Sequence, residues 1–289
     1  MQCIAIIANT TRPRAAVAAH AAIELLSARG VDVVVDDATA KHLGPLGTST
    51  HRVVDKSEFQ KLADAVITFG GDGTLLSVAR LLIDADVPIM GINVGRLGFL
   101  AEFSSDEVPQ AIECLLSGAY RMVDRSTLEI EVGSVRGIAI NEVIVERAAI
   151  AKMISVRAYV NSHHVADYSA DGVIVATPTG STAYSLAAGG PIVAPTAAAL
   201  CITPIAPHTL TLRPLIVSDE SEVKLELRTE FTEAKIVADG IVIGSIAPNQ
   251  EVIVRKGAQR VKLIKRADST YFDMLREKLL WSVDATRNP

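Results

Sequence analysis

Three glycines and a carboxylate stand together at Gly70-Gly71-Asp72-Gly73-Thr74, directly after the apolar run DAVITF and directly before a helical pattern. Glycine, lacking a Cβ, lets main-chain amides approach a phosphate, and a helix N-terminus adds partial positive charge at the same place. The run is not a Walker A sequence, because the chain has no Gly-Lys pair, and it is not a G-x-G-x-x-G fingerprint. It reads as a different phosphate cradle, or as a plain glycine turn with Asp72 as its helix cap.

A second constellation is DGVIVATPTGSTAY at 171–184, where a buried-strand pattern ends in a Pro-Thr-Gly-Ser-Thr turn rich in hydroxyls and free amides. Such a turn holds polar ligands, although Ser181 and Thr182 suit helix capping equally well. Asn141 and Glu142 interrupt the apolar run IAINEVIV. Burying an amide beside a carboxylate costs several kcal/mol unless both are paired, so the two residues mark a site or an exposed strand end. His163-His164 fall in a turn signal, His20, His42 and His51 have no partner at metal-ligand spacing, and His208, between Pro207 and the LTLRP run, is the one that invites a functional reading beside the favoured structural one. No metal-ligating set emerges. Cys3, Cys114 and Cys201 are odd in number and form no C-x-x-C pair, which suits a reducing compartment.

The elements that must position these residues change character along the chain. Strand candidates at 3–9, 31–37, 64–71 and 87–95 alternate with helical patterns, the first opened by Pro13 and closed by Gly30. In TLLSVARLLIDA, residues Leu75, Leu76, Ala79, Leu82 and Ile83 share one helical face. Near-continuous apolar strands between helices predict a parallel, Rossmann-like α/β sheet. After a helical segment at 106–117 the period becomes two, as in Leu128, Ile130 and Val132 against Glu129 and Glu131. The alternation returns at 154–160, 222–228 and 251–256. The reading is an N-terminal α/β domain at 1–123 and a β-rich, sandwich-like domain at 124–267. An amphipathic segment at 271–282 returns to the first domain through Leu275, Leu279 and Leu280, so that 268–289 belong there.

Composition narrows the function. With 28 basic and 33 acidic residues among 289 the net charge is −5, and no basic run offers a face to nucleic acid. Residues 172–212 carry no formal charge, but Pro178, Pro191, Pro195, Pro204 and Pro207 break any spanning helix. The N-terminus has no charged region ahead of its short apolar core and reads as a first strand. The expectation is a soluble cytoplasmic protein with no membrane or nucleic-acid partner.

Taken together, GGDGT at 70–74, NVGRLGFL at 93–100, NEV at 141–143, DGVIVATPTGSTAYSLAAGGPI at 171–192, PHTLTLRPL at 207–215 and the tail YFDMLREKLLW make the chain resemble the bacterial NAD kinases over nearly its whole length. The resemblance implies phosphoryl transfer from ATP or inorganic polyphosphate to the adenosine 2′-hydroxyl of NAD, with NADH as a further acceptor to consider. It also implies a divalent cation on the donor, magnesium being the expected one, and a homodimer or homotetramer. Carried across by position, Asp72 matches the base for the attacking hydroxyl, and Gly70, Gly71 and Gly73 match the donor's phosphate loop. Asn141 and Glu142 match an adenosine-contacting pair. Asp171 and the Ala183 carbonyl match groups holding the nicotinamide carboxamide, Thr182 and Tyr184 line the adenine side, and Lys152 falls where other members place a basic or His contact. Three positions depart from the family pattern. Ala187 stands where many members carry Ser, Ser169 where some carry Arg, and Ile241 follows Asp239-Gly240 where Gln is frequent. Two alternatives share the glycine loop or the fold. They are a lipid or diacylglycerol-type kinase, for which the chain offers no basic amphipathic helix, and a non-catalytic dinucleotide sensor.

Overall fold

The structure, a computed structural model, describes residues 1–44, 51–95, 98–148, 153–230 and 232–281. The chain divides into two compact units, Met1–Asp124 with Val261–Pro289, and Arg125–Arg260.

Unit 1 begins with β1 (Cys3–Ala8), α1 (Pro13–Ser27), β2 (Asp32–Val35), α2 (Asp37–Leu43), β3 (Arg52–Val53), α3 (Phe59–Leu62), β4 (Ala65–Gly70), α4 (Asp72–Leu81), β5 (Ile89–Asn93), β6 (Phe103–Ser104) and α5 (Val108–Ser117). Its strands pair in the order β3-β2-β1-β4-β5, and every pairing among them is parallel. This is the doubly wound order, in which ligands bind beyond the carboxyl ends of the strands. β1 and β4 are apolar runs because helices cover both faces. Ile4, Ile6, Ile67 and Phe69 are fully buried against the α1 residues Ala15, Ala19 and Ile23. The expected strand at 31–37 stops at Val35, because the Asp36 carboxylate accepts the Thr39 amide at 3.1 Å and caps α2.

Unit 2 is built from β7 (Tyr120–Val132), β8 (Val135–Ala139), β9 (Glu142–Arg147), β10 (Ile154–Val160), β11 (His163–Ala170), β12 (Gly172–Ala176), the single-turn helix α6 (Tyr184–Ala187), β13 (Ala199–Ile205), β14 (Leu215–Ser218), β15 (Val223–Leu227), β16 (Ala234–Ala238), β17 (Ile241–Ile246) and β18 (Glu251–Arg266). One antiparallel sheet runs β14-β13-β12-β9-β16-β17. The other runs β11-β10-β15-β18, with β7 and β8 joined to it through β18. Both contribute to one apolar core that includes Leu128, Val145, Val156, Val173, Leu225 and Val254. The residues expected in a turn at His163-His164 instead open β11, since the turn is made by Asn161 and Ser162 at φ 49° and 66°.

The return to unit 1 begins at Val261 and not at 268. The reason is a pairing: Leu263 and Ile264 of β18 lie parallel to Ile89 and Met90 of β5. The last helix, α7 (Tyr271–Leu279), opens on a capping box of Thr270 and Asp273. It ends where Leu280 turns left-handed at φ 55°. Leu275 is buried, as expected, but Leu280 is exposed because it stands outside the helix and off its apolar face.

Candidate active site

The glycine loop is where β4 becomes α4. Gly71 is the cap residue, and its carbonyl accepts from Thr74 and Leu75, which turns the chain into the helix. A Cβ on Gly70 would lie 2.2 Å from the Thr74 hydroxyl, so glycine is needed there for packing. Gly71 and Gly73 differ, because nothing lies within 4 Å of the Cβ positions they lack. Their open faces line a cleft of about 480 Å³ together with Ala8, Asn9, Arg12, Lys56, Thr74 and Ser77. The cleft sits at the carboxyl ends of β1 and β4, and Asn9 Nδ2 ties it shut on one side by donating to the Thr74 hydroxyl at 3.1 Å. Lys56 faces Asp36 at 3.0 Å. A helix N-terminus, open glycines and Arg12 at the mouth of a parallel sheet make an anion site, with Lys56 shared between it and the Asp36 carboxylate that also lines the cleft.

Asp72 does not cap α4. It occupies the first position of the helix, and its side chain is absent from the cleft lining. The carboxylate instead accepts three successive main-chain amides, from Phe99 at 2.6 Å, Leu100 at 3.1 Å and Ala101 at 3.4 Å. Gly98 permits this approach, since a Cβ there would stand 1.8 Å from Asp72 Oδ1. An ionised carboxylate offers about four lone-pair sites, so three amides leave room for one more donor on a half-buried group. The Lys278 ammonium of α7 lies over the Phe99 ring, 5.8 Å from its centroid. Burial pulls the Lys278 pKa down, and the negative charge of Asp72 opposes that shift.

In unit 2 a second carboxylate repeats the grip. Asp239 accepts the amides of Ile140 at 2.8 Å, Asn141 at 2.7 Å and Glu142 at 3.1 Å. Its left-handed backbone, φ 44°, belongs to the Asp-Gly turn joining β16 to β17. Asn141 and Glu142 are both buried. Burial, with the Asp239 charge next in importance, pushes the Glu142 carboxyl up to about 7, and a hydrogen bond from the Tyr184 amide opposes it. Glu142 Oε2 is buried with no hydrogen-bond partner among the described residues. The turn after β12 closes over this strand start. Thr177 donates its hydroxyl to Ile140 O at 2.7 Å, and a Cβ on Gly180 would lie 2.1 Å from Asn141 O.

The same turn positions Thr182, Ala183, Tyr184 and Ala187 around α6. Ser181 and Thr182 are not helix caps, because both hydroxyls donate back to carbonyls three residues earlier, Pro178 at 2.7 Å and Thr179 at 3.1 Å. Tyr184 and Ala187 are exposed. Asp171 stands apart. Ala176 pairs with Glu142 and Gly172 with Glu146, so Asp171 sits at the opposite end of β12, about 17 Å along the strand at ~3.4 Å per residue. There it faces Arg147 at 3.2 Å. Lys152 lies outside the described residues. Sequence reasoning missed Asp239, the amides of 99–101 and Lys278. The Asp-Gly pair at 239–240 was the one available signal.

A doubly wound parallel sheet with a glycine-lined cleft beyond its carboxyl ends is the build of an α/β nucleotide- or phosphate-binding protein. Residues 4–120 match the family described as ATP-NAD kinase N-terminal domain, and residues 140–266 match the ATP-NAD kinase C-terminal domain. The chain belongs to the NAD kinase family, phosphotransferases with an alcohol group as acceptor. It is 38% identical to the NAD kinase of Syntrophotalea carbinolica over 288 residues, 97% of this chain and 99% of the relative. It is 39% identical to that of Chlorobaculum tepidum over 280 residues, 96% of each. Among solved structures, yeast NADH kinase complexed with NADH shares the fold at a TM-score of 0.89 and 24% identity, with 100% of this chain and 90% of that chain covered. The NAD kinase from Archaeoglobus fulgidus in complex with ATP aligns at a TM-score of 0.76 and 26% identity, covering 98% and 100%. No helix among the described residues is long and apolar enough to cross a membrane.

Proposed function

We propose that the protein transfers the terminal phosphoryl group of ATP to the adenosine 2′-hydroxyl of NAD, giving NADP, with inorganic polyphosphate as the alternative donor and NADH as the alternative acceptor. The cleft at the ends of β1 and β4 carries this reading. Gly71 and Gly73 open it to phosphates, while Ile7, Ala8 and Ala38 give it apolar wall that a nucleoside uses and polyphosphate does not. The ATP complex of the Archaeoglobus fulgidus relative supports the same donor.

Phosphoryl transfer passes through a loose transition state in most analyses, so positioning and charge stabilisation matter more than basicity. Asp72, fixed by three amides, accepts the hydroxyl's hydrogen bond on its remaining lone pair, aims the oxygen and takes the proton late. Asn141 and Glu142 hold the adenosine side of the acceptor, with Thr182, Ala183, Tyr184 and Lys152 around the dinucleotide. A divalent cation, magnesium by expectation, would enter with the donor's phosphates. Its contribution there is to neutralise phosphate charge. The family resemblance assigns Asp171 to the nicotinamide carboxamide, and since it lies about 17 Å along β12 from the Glu142 end, we infer that it serves a site completed by a second copy of the chain. Three free cysteines suit a cytoplasmic setting.

The test is to incubate pure protein with NAD or NADH and with ATP or polyphosphate, and to measure NADP(H). No product from any pairing sinks the reading, and activity independent of dilution to a monomer removes the second copy from it.

A further inference from the structure

Lys265 is the most deeply buried cation described, 1% exposed, on the face of β18 that also buries Val261 and Leu263. Its ammonium donates to Leu100 O at 2.7 Å and pairs with Glu102 at 3.2 Å. Leu100 lies in the segment that grips Asp72, and Glu102 follows directly after it. That segment has little freedom elsewhere, for it crosses β5 at Gly91, where a Cβ would stand 2.9 Å from Ala101 Cα.

The Leu100 carbonyl and the Ala101 amide belong to one peptide group. Lys265 holds its oxygen end and Asp72 Oδ1 holds its N–H end, at 3.4 Å. A cation on the carbonyl polarises the group and strengthens the N–H as a donor, since hydrogen bonds in a chain reinforce one another in a low-dielectric interior. The same contact fixes the peptide plane, and with it the directions of the amides that Asp72 meets.

We propose that Lys265 is a positioning residue for Asp72, acting through the Leu100–Ala101 peptide group to fix the carboxylate that orients the acceptor hydroxyl. The inference rests on the role given to Asp72 above. Glu102 has a separate task. It compensates the buried charge of Lys265 and makes no contact with Asp72 among the described residues.

Lys265→Met alone would leave Glu102 buried and unpaired, so the comparison is between Glu102→Gln and the double variant Lys265→Met/Glu102→Gln. These two differ in the contacts of Lys265, the one to Leu100 O among them, and the Asp72→Asn background separates what passes through Asp72 from the rest. Each is made with Asp72 intact and with Asp72→Asn, melting is checked for all, and kcat and KM are measured separately. With Asp72 intact, the double variant should lose kcat by roughly 10- to 100-fold relative to Glu102→Gln, with KM for NAD and donor within about threefold; in the Asp72→Asn background it should lose little more. Where Met at 265 prevents folding, Lys265→Gln/Glu102→Gln replaces it under the same outcomes. Equal kcat for Glu102→Gln and the double variant with Asp72 intact, or the same loss in both backgrounds, overturns the inference while leaving the phosphotransfer reading intact. Wild-type turnover by Asp72→Asn itself overturns the role of Asp72, and that of Lys265 with it.

Discussion

Asp72 and Asp239 use one device in two settings. Each carboxylate binds three successive main-chain amides, those of 99–101 in unit 1 and those of 140–142 in unit 2. Their surroundings differ in sign. Asp72 lies at the positive end of α4, with Lys278 within electrostatic reach and Lys265 on the far side of one of its peptide partners. Asp239 lies beside another acid, and its charge helps push Glu142 up to about 7. The lesson is that the same grip serves opposite ends. In unit 1 it fixes the direction of a carboxylate, and in unit 2 it sets a negative charge beside a buried carboxyl, adding to the burial that raises Glu142, whose Oε2 has no hydrogen-bond partner among the described residues.

The largest test of this contrast is Asp72→Asn. General-base help is worth about 10²–10⁴ in rate, and turnover should fall by that factor while NAD binding persists. The substitution also turns an amide NH₂ toward main-chain N–H donors, so the 99–101 segment loosens. Hydrogen exchange at Phe99, Leu100 and Ala101 reports that part separately from kcat. Wild-type turnover in a folded variant reduces Asp72 to structure.

Next comes the pH dependence of stability. Glu142 has its folded value raised from 4.5 to about 7, so it stabilises the fold fully below 4.5, and that contribution is lost as pH rises through 7. The loss is at most about 3 kcal/mol, following from ~1.36 kcal/mol per unit. Denaturant midpoints measured from pH 4.5 to 8 should show the decline, and Glu142→Gln should flatten it. A slope unchanged by that variant would assign the effect elsewhere. Asp239→Asn then separates the two functions of the grip. Leaving one or two buried amides unpaired should cost about 1–3 kcal/mol, while removing the Asp239 charge should move the Glu142 transition to lower pH. If stability falls but the transition stays, burial alone raises Glu142.

The sequence made the parallel sheet legible because its strands are buried on both faces, and it marked the glycine loop by three glycines between a strand and a helix, without separating Gly71 and Gly73, which open the cleft, from Gly70, which serves packing against Thr74. Direction was not legible. Asp72 turns toward amides 27–29 residues away, and Asp239 toward amides 97–99 residues away, so neither local spacing nor capping preference reports the partner. Lys265 illustrates the same limit. In VKLIKR alternation groups it with Val261 and Leu263, which are buried, but nothing local names its partner, the Leu100 carbonyl 165 residues away. Asp36 failed differently, since a strand-like VDVVVDD hides a helix cap in its last two residues.

The smallest effect concerns α6, which lies in unit 2 but outside the Asp239 grip. Ala187 is its last residue and is exposed, so a side chain one hydroxyl larger fits without repacking. Family resemblance places a nicotinamide contact at this position, and Ser169, exposed on β11, supplies no cation where some members carry Arg. Acceptor choice should therefore be loose, with NAD and NADH separated weakly. A neutral hydrogen bond gained in water is worth a net ~0.5–1.5 kcal/mol, and Ala187→Ser should tighten acceptor binding by about that much, without moving the pH transition of Glu142. Calorimetric Kd for NAD and NADH with both proteins checks the affinity, and the denaturant series checks the transition. An unchanged Kd removes Ala187 from the site. A shifted transition would mean that α6 and the Asp239 grip are coupled through Tyr184, whose amide already reaches Glu142, and that the two regions of unit 2 must be treated as one.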